Sequence, residues 1–186
     1  RTMHLPGSRD PSGWIENRLD LSGKPGLAFR NPPTSRAYDW NEQPCHQITY
    51  ARRGTTQIEG PDGRHRLPTG HAIWIPAGTR HRTMIRNLDG VSVYFDPTHF
   101  PGGFAKHIQT FPAAPLLQEM LFHTLRWTAG PAEQTPLAAS FFHTLGLLCL
   151  EQMQAGSGQF FTLPCASHPS VQRAMDAALV SPGQAS

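Results

Sequence analysis

The period of hydrophobic and polar positions changes partway along the chain. From His46 to Phe95, short runs rich in Ile, Thr, Tyr, Val and Trp alternate with turn residues at Gly54, Gly60 to Gly63, Pro68 to Gly70, Pro76 to Gly78 and Asn87 to Gly90. β-Branched and aromatic residues fit a pleated, half-buried surface, so this spacing predicts successive antiparallel strands of a sandwich or barrel. After Phe111 the pattern becomes helical. Pro112–Ala129 and Pro136–Ala155 carry Leu, Met, Ala, Phe and Gln at helical spacing, and each opens at a proline and closes at a glycine, Gly130 and Gly156. A third helical pattern spans Val171–Val180. Strands followed by helices argue for two packed layers of different kind and against alternating units on a parallel sheet. Up to Trp40 the chain is punctuated by Pro6, Pro11, Pro25, Pro32 and Pro33, which predicts a loosely draped N-terminal arm with one strand at Leu27–Arg30.

Alternation with period two sorts the faces of the β module. In Thr79–Arg86, Arg80, Arg82 and Arg86 share one parity with Met84, and His81, Thr83 and Ile85 share the other. Arginine is rarely buried unpaired, so its face is the wet one and His81 points inward. In the strand from His46, Gln47, Thr49 and Ala51 form a small, polar parity opposed by Ile48 and Tyr50. A small polar inner face beside an inward histidine predicts a cavity.

The composition excludes several classes. The chain has 186 residues, enough for one domain with a helical appendage. No run approaches the ~20 apolar residues that cross a bilayer, and the opening residues lack the apolar core of a secretion signal. Cys45, Cys149 and Cys165 are far apart, which predicts reduced thiols in a cytoplasmic protein. Sixteen basic against 13 acidic side chains leave a net charge of +3 without a concentrated patch, so this segment is not expected to bind DNA by itself. His123 and His143 lie on predicted helices, where surface or interface positions are expected, and His65, His71, His99 and His107 lie near turns or strand ends, where solvent is expected. No nucleophile elbow, phosphate loop or His-Glu-x-x-His helix is present.

The run Gly70–His81 (Gly, five residues, Pro76-Ala77-Gly78, two residues, His81) resembles the second cupin motif, in which a tight turn re-aims the chain so that the next strand presents its histidine into a jelly-roll barrel. The first cupin motif supplies two histidines and a carboxylate that, with the later histidine, surround a divalent metal. Asn41, Gln43 and Gln47 stand at those positions here. Amides are poor ligands for transition metals, and His46 is one residue out of register, so no metal and no cofactor are expected.

A broader resemblance covers almost the whole chain. Tyr38-Asp39-Trp40, His46–Gly54, Leu67-Pro68 and Ala72–His81 are similar to the N-terminal sensor domain of AraC-type transcription regulators, and His168–Leu179 resembles the helix that opens their DNA-binding part. The resemblance implies a mainly β fold with C-terminal helices: a cupin-like jelly-roll barrel followed by a helical dimerisation segment. It implies an N-terminal arm at 1–40, a sensor barrel at 41–111, dimerisation helices at 112–156, and at 157–186 a linker and the start of a missing helix-turn-helix domain. The chain is thus expected to be a fragment of a longer, non-enzymatic regulator. Its expected partners are a small-molecule effector, a second copy of itself, and DNA through the absent domain, with no membrane. Gln43, Gln47 and His81 are expected to converge in the barrel around a small metabolite, aromatic or carboxylated ligands included, with Trp74 or Tyr94 either as an aromatic wall or, the favoured alternative, packed under the helices. The alternatives are a metal-dependent cupin dioxygenase or isomerase, and a dimerisation module without a ligand.

Overall fold

Two long strands organise the molecule. In the computed structural model, which describes residues 21, 24–100, 105–127, 135–155 and the backbone of 162–163, β2 (His46–Gly60) and β5 (His81–Phe95) pair antiparallel from His46↔Phe95 to Glu59↔Arg82. The ladder slips on either side of Arg53, where Gly54 takes φ 78° and Asn87 φ 45°. Such slips bend and twist a strand. The bend divides β2 into two halves. Residues 47–50 pair with β4 (His71–Ile75), and residues 56–60 pair with β3 (Gly63–Leu67). Outside β5 lies β1 (Gly26–Asn41), β6 (Gln109–Pro112) pairs with β4, and the short β7 (Thr162–Leu163) pairs with β3. The result is a mostly antiparallel, cupin-like β structure followed by two helices.

β1 is longer than the alternation indicates. The sequence predicts a strand over Leu27–Arg30 alone, yet pairing with β5 continues from Gly26↔Phe95 to Asn41↔His81. Pro32 and Pro33 sit where the register skips between Asn31 and Thr34, and β1 is at the edge of the sheet. An edge strand needs no donor on its outer side, so prolines at a bulge interrupt the ladder without ending it. Residues 26–40 therefore belong to the sheet, not to a draped arm.

The first helix is shorter than expected. Thr110 and Phe111 continue the sheet opposite Ile73 and Ala72, and α1 runs over Pro115–His123, followed by a 3-10 turn over Thr124–Trp127. Pro115 rather than Pro112 occupies the opening turn, where a missing N–H is harmless. α2 spans Pro136–Ala155 as expected and buries Ala138, Phe142, Leu145, Cys149 and Met153. Phe142, Leu145, Cys149 and Met153 pack with Leu117 and Leu121 of α1 onto Ala28, Ile48, Tyr50, Trp74, Val91, Val93 and Phe95, the outward residues of the strands. A second core of Ala51, Ile58, Leu67, Ile73, Ile75, Leu88 and Ile108 fills part of the β interior. The remaining expectations for 157–186, including the helix at Val171–Val180, lie outside the described residues. Among the described residues no helix is long and apolar enough to cross a membrane.

Candidate functional site: a polar cavity in the β structure

Inward residues of β1, β2 and β5, Ile58 of the second apolar core among them, enclose a cavity. Asn31, Tyr38 and Asn41 come from β1; Gln47, Thr49, Thr56 and Ile58 from β2; His81, Thr83, Ile85, Ser92 and Tyr94 from β5; Gln43 comes from the β1–β2 connection. Their neighbours in sequence, Ile48, Tyr50, Val91 and Val93, face the helices, as a two-residue period requires. The Pro76–Gly78 turn fixes the cavity's edge: the Gly78 N–H donates to the Gln43 carbonyl at 2.8 Å.

The polar side chains form a directional chain. Asn41 Nδ2 donates to the carbonyls of Asp39 and His81, at 3.0 and 3.4 Å. Because carbonyls only accept, the Asn41 amide is oriented with Oδ1 free to accept from Gln43 Nε2 at 3.4 Å. Gln43 Nε2 also donates to Gln47 Oε1 (3.2 Å), and Gln47 Nε2 to Thr49 Oγ1 (3.0 Å). The Thr49 and Ser92 hydroxyls share a hydrogen bond of 2.9 Å, and Asn31 Nδ2 donates to Ser92 Oγ at 2.9 Å. On the far wall, His81 Nδ1 lies 2.8 Å from the Thr79 carbonyl and so carries the proton in the neutral ring, leaving Nε2 as an acceptor.

Asn41, Gln43, Gln47 and His81, where the cupin resemblance would place metal ligands, do not fit a metal. Three are amides hydrogen-bonded to one another, to backbone carbonyls and to Thr49, and no group of three His, Cys, Asp or Glu side chains capable of holding an ion occurs among the described residues. Zinc, iron and nickel need imidazole, thiolate or carboxylate donors.

Burial lowers the pKa of His81, and likewise of His46 and His65, below the usual 6.5, since desolvation disfavours the imidazolium. For a depressed folded pKa the unfolded chain binds more protons in acid. The associated stability is present above pH 6.5 and is lost as pH falls through the folded values. The urea midpoint is therefore expected to be flat between about pH 7 and 8 and to drop below about pH 6. In His81→Gln the acid slope should shrink by up to ~1.4 kcal/mol per pH unit; an unchanged slope would mean that His81 titrates normally.

The structure brings Gln43, Gln47, His81 and Tyr94 to one cavity and leaves Trp74 out of it. Trp74 is fully buried on the opposite face of β4, with its ring 6.0 Å from Phe95 and 5.0 Å from His46, and its Nε1–H donating to the Ala105 carbonyl. Trp74 pairs with Ile48, whose side chain also faces the helices, so the parity that sends Ile73 and Ile75 inward sends Trp74 outward. His46 likewise lies outside, accepting from the Ala77 N–H at Nδ1. His65 needs correction too. It is buried, not solvated, because its parity in β3 is that of inward Leu67. Asn31, Tyr38, Thr56 and Ser92 are lining residues that the candidate set omitted. Ser92 shares parity with Tyr94 and was legible; Asn31 and Tyr38 fell in the presumed arm.

Fold and site together define a cupin-like barrel with a polar, metal-incompetent interior. The solved structure of the AraC-like transcriptional activator CuxR has this fold, with a TM-score of 0.51 at 10% identity over 87% of this chain and 63% of that one. An apo ToxT from Vibrio cholerae strain SCE256 aligns with a TM-score of 0.49 at 6% identity, over 84% of this chain and 64% of its own. An oxalate decarboxylase of Bacillus subtilis aligns with 0.33 at 13% identity, over 58% and 30%. The chain spans less than two thirds of the length of the two regulators. The sequence matches no family model and no curated protein.

Proposed function

We propose that this chain is the effector-sensing and dimerisation domain of an AraC-type transcription regulator of the cytoplasm, acting on DNA through a C-terminal helix-turn-helix domain and not as an enzyme. The observation that carries the reading is the replacement of a metal-ligand set by a hydrogen-bonded amide chain inside a cavity. A polar cavity that cannot organise an ion is suited to binding a small molecule. The shared fold with CuxR supports the regulatory context. The helices offer the output. α2 packs one stripe on the sheet and leaves Leu137 and Leu147 exposed at 61% and 48%, while α1 exposes Leu116, apolar surface of the kind two subunits bury. An effector with different affinity for two arrangements of barrel and helices shifts their populations and thereby the DNA-binding domains.

The experiment is a thermal-unfolding screen of the purified chain against small metabolites, with elemental analysis in parallel. A ligand at 100 times its Kd stabilises the fold by about 2.7 kcal/mol, so a true effector raises Tm in a dose-dependent manner. Stoichiometric transition metal that survives chelation and disappears in His81→Ala would replace this reading with that of a metal-dependent cupin enzyme.

A further inference from the structure

The charge and hydrogen-bonding capacity of the cavity wall restrict what it holds. None of the thirteen lining residues is Lys, Arg, Asp or Glu. Burial keeps its histidine neutral at pH 7 and raises the pKa values of Tyr38 and Tyr94, which stay protonated. Arg36 is exposed at the surface beside Tyr38 and does not line the cavity. An ionised carboxylate or ammonium entering such a space loses its hydration and meets no opposite charge.

The wall also has acceptors to spare. Both amide hydrogens of Asn41 and of Gln43, and one each of Asn31 and Gln47, are committed within the chain of bonds described above. Gln43 Oε1 and Thr56 Oγ1 are buried without a hydrogen-bond partner, in side chains 93% and 99% removed from solvent. The orientation of the Gln43 amide is not free, since turning it would set its oxygen against two oxygens, Asn41 Oδ1 and Gln47 Oε1. With His81 Nε2 this makes two fixed acceptors and an adaptable hydroxyl. The cavity has a volume of about 30 Å³. As a single water needs roughly 10–15 Å³ on that measure, there is room for two or three waters or a molecule of a few heavy atoms.

We infer that the effector is a small, uncharged molecule rich in hydrogen-bond donors, of the polyol, urea or primary-amide class, and that carboxylates of the same size are rejected. This rests on the effector-binding reading above and narrows it. The ligand's O–H or N–H groups satisfy Gln43 Oε1 and His81 Nε2, and a hydroxyl or carbonyl engages Thr56.

Thermal unfolding of the chain with size-matched pairs tests it: propionamide against propionate, glycerol against glycerate, and further small polyols and ureas against their carboxylate counterparts, at equal concentration and ionic strength. The neutral partner is expected to bind at least about tenfold tighter in at least one pair, a difference of ~1.4 kcal/mol. Thr56→Val is the second arm. It removes an unpartnered buried hydroxyl without changing shape, so the free protein is expected to unfold at the same or higher temperature while affinity for the neutral ligand falls. A carboxylate binding as well as its neutral partner, whether inside the cavity or through a contact abolished by Arg36→Ala, overturns the charge selection but leaves the effector site standing. Unaltered neutral-ligand affinity in Thr56→Val overturns the placement. If no compound of either kind shifts Tm, the effector reading itself falls.

Discussion

Trp74→Ala is expected to destabilise the chain by about 3–5 kcal/mol, the range for emptying a large aromatic site in a packed core. Trp74 is wholly buried, lies against Phe95 and His46, and joins the cluster through which both helices sit on the sheet. Truncation removes dispersion contacts that the surrounding side chains cannot rebuild, and it orphans the Ala105 carbonyl that accepts from the indole. Urea titration measures the loss. Trp74→Phe separates packing from ligand contact: it should lower stability by a smaller amount and leave ligand-induced stabilisation untouched. A Trp74→Phe chain of normal stability that no longer responds to ligand would restore Trp74 to the binding site.

Gly90→Ala is expected to cost about 3 kcal/mol or more, at the upper end of overpacking penalties. An added Cβ would stand 2.0 Å from the Tyr50 carbonyl oxygen, and that oxygen belongs to the central β2 strand, which cannot swing aside as a flexible side chain would. Gly90 is also registered with Ala51 on one side and Asn31 on the other, two residues from Ser92. Prising these strands apart disturbs the Asn31–Ser92–Thr49 hydrogen bonds, so ligand binding should weaken along with the fold. Gly70→Ala is the control. A Cβ there meets nothing within 4 Å although φ is +81°, leaving only the left-handed backbone penalty of about 1 kcal/mol. Gly90 itself is not at positive φ, so a loss there no larger than at Gly70 would show that the strands relieve the Tyr50 contact at little cost.

How far the sequence reached depended on whether each strand was wet on one side. Arg80, Arg82 and Arg86 marked an outer face unambiguously, and with it the inward parity of His81, Thr83 and Ile85, all of which line the cavity. Gln47 and Thr49 were legible for the same reason. β4 gives no such mark, because Ala72 to Ile75 is apolar at every position and buried on both faces; alternation cannot orient such a strand, and it leaves Trp74 open between cavity wall and core. β1 was obscured by its prolines, which signal a break unless the strand is known to be at an edge. The C-terminal boundary of the sheet slipped for a related reason, since Pro112 reads equally as a helix opening and as the last residue of an edge strand.

The layered arrangement has a practical corollary. Successive residues of β2 and β5 serve opposite purposes: Thr49, Ser92 and Tyr94 touch the space inside, while Ile48, Tyr50, Val91 and Val93 carry the helical platform. In the proposed reading, recognition and output are written on alternate letters of the same strands, only a side chain's reach apart. A combinatorial library confined to the first set could retrain what the barrel recognises while the seat of the helices keeps its native vocabulary.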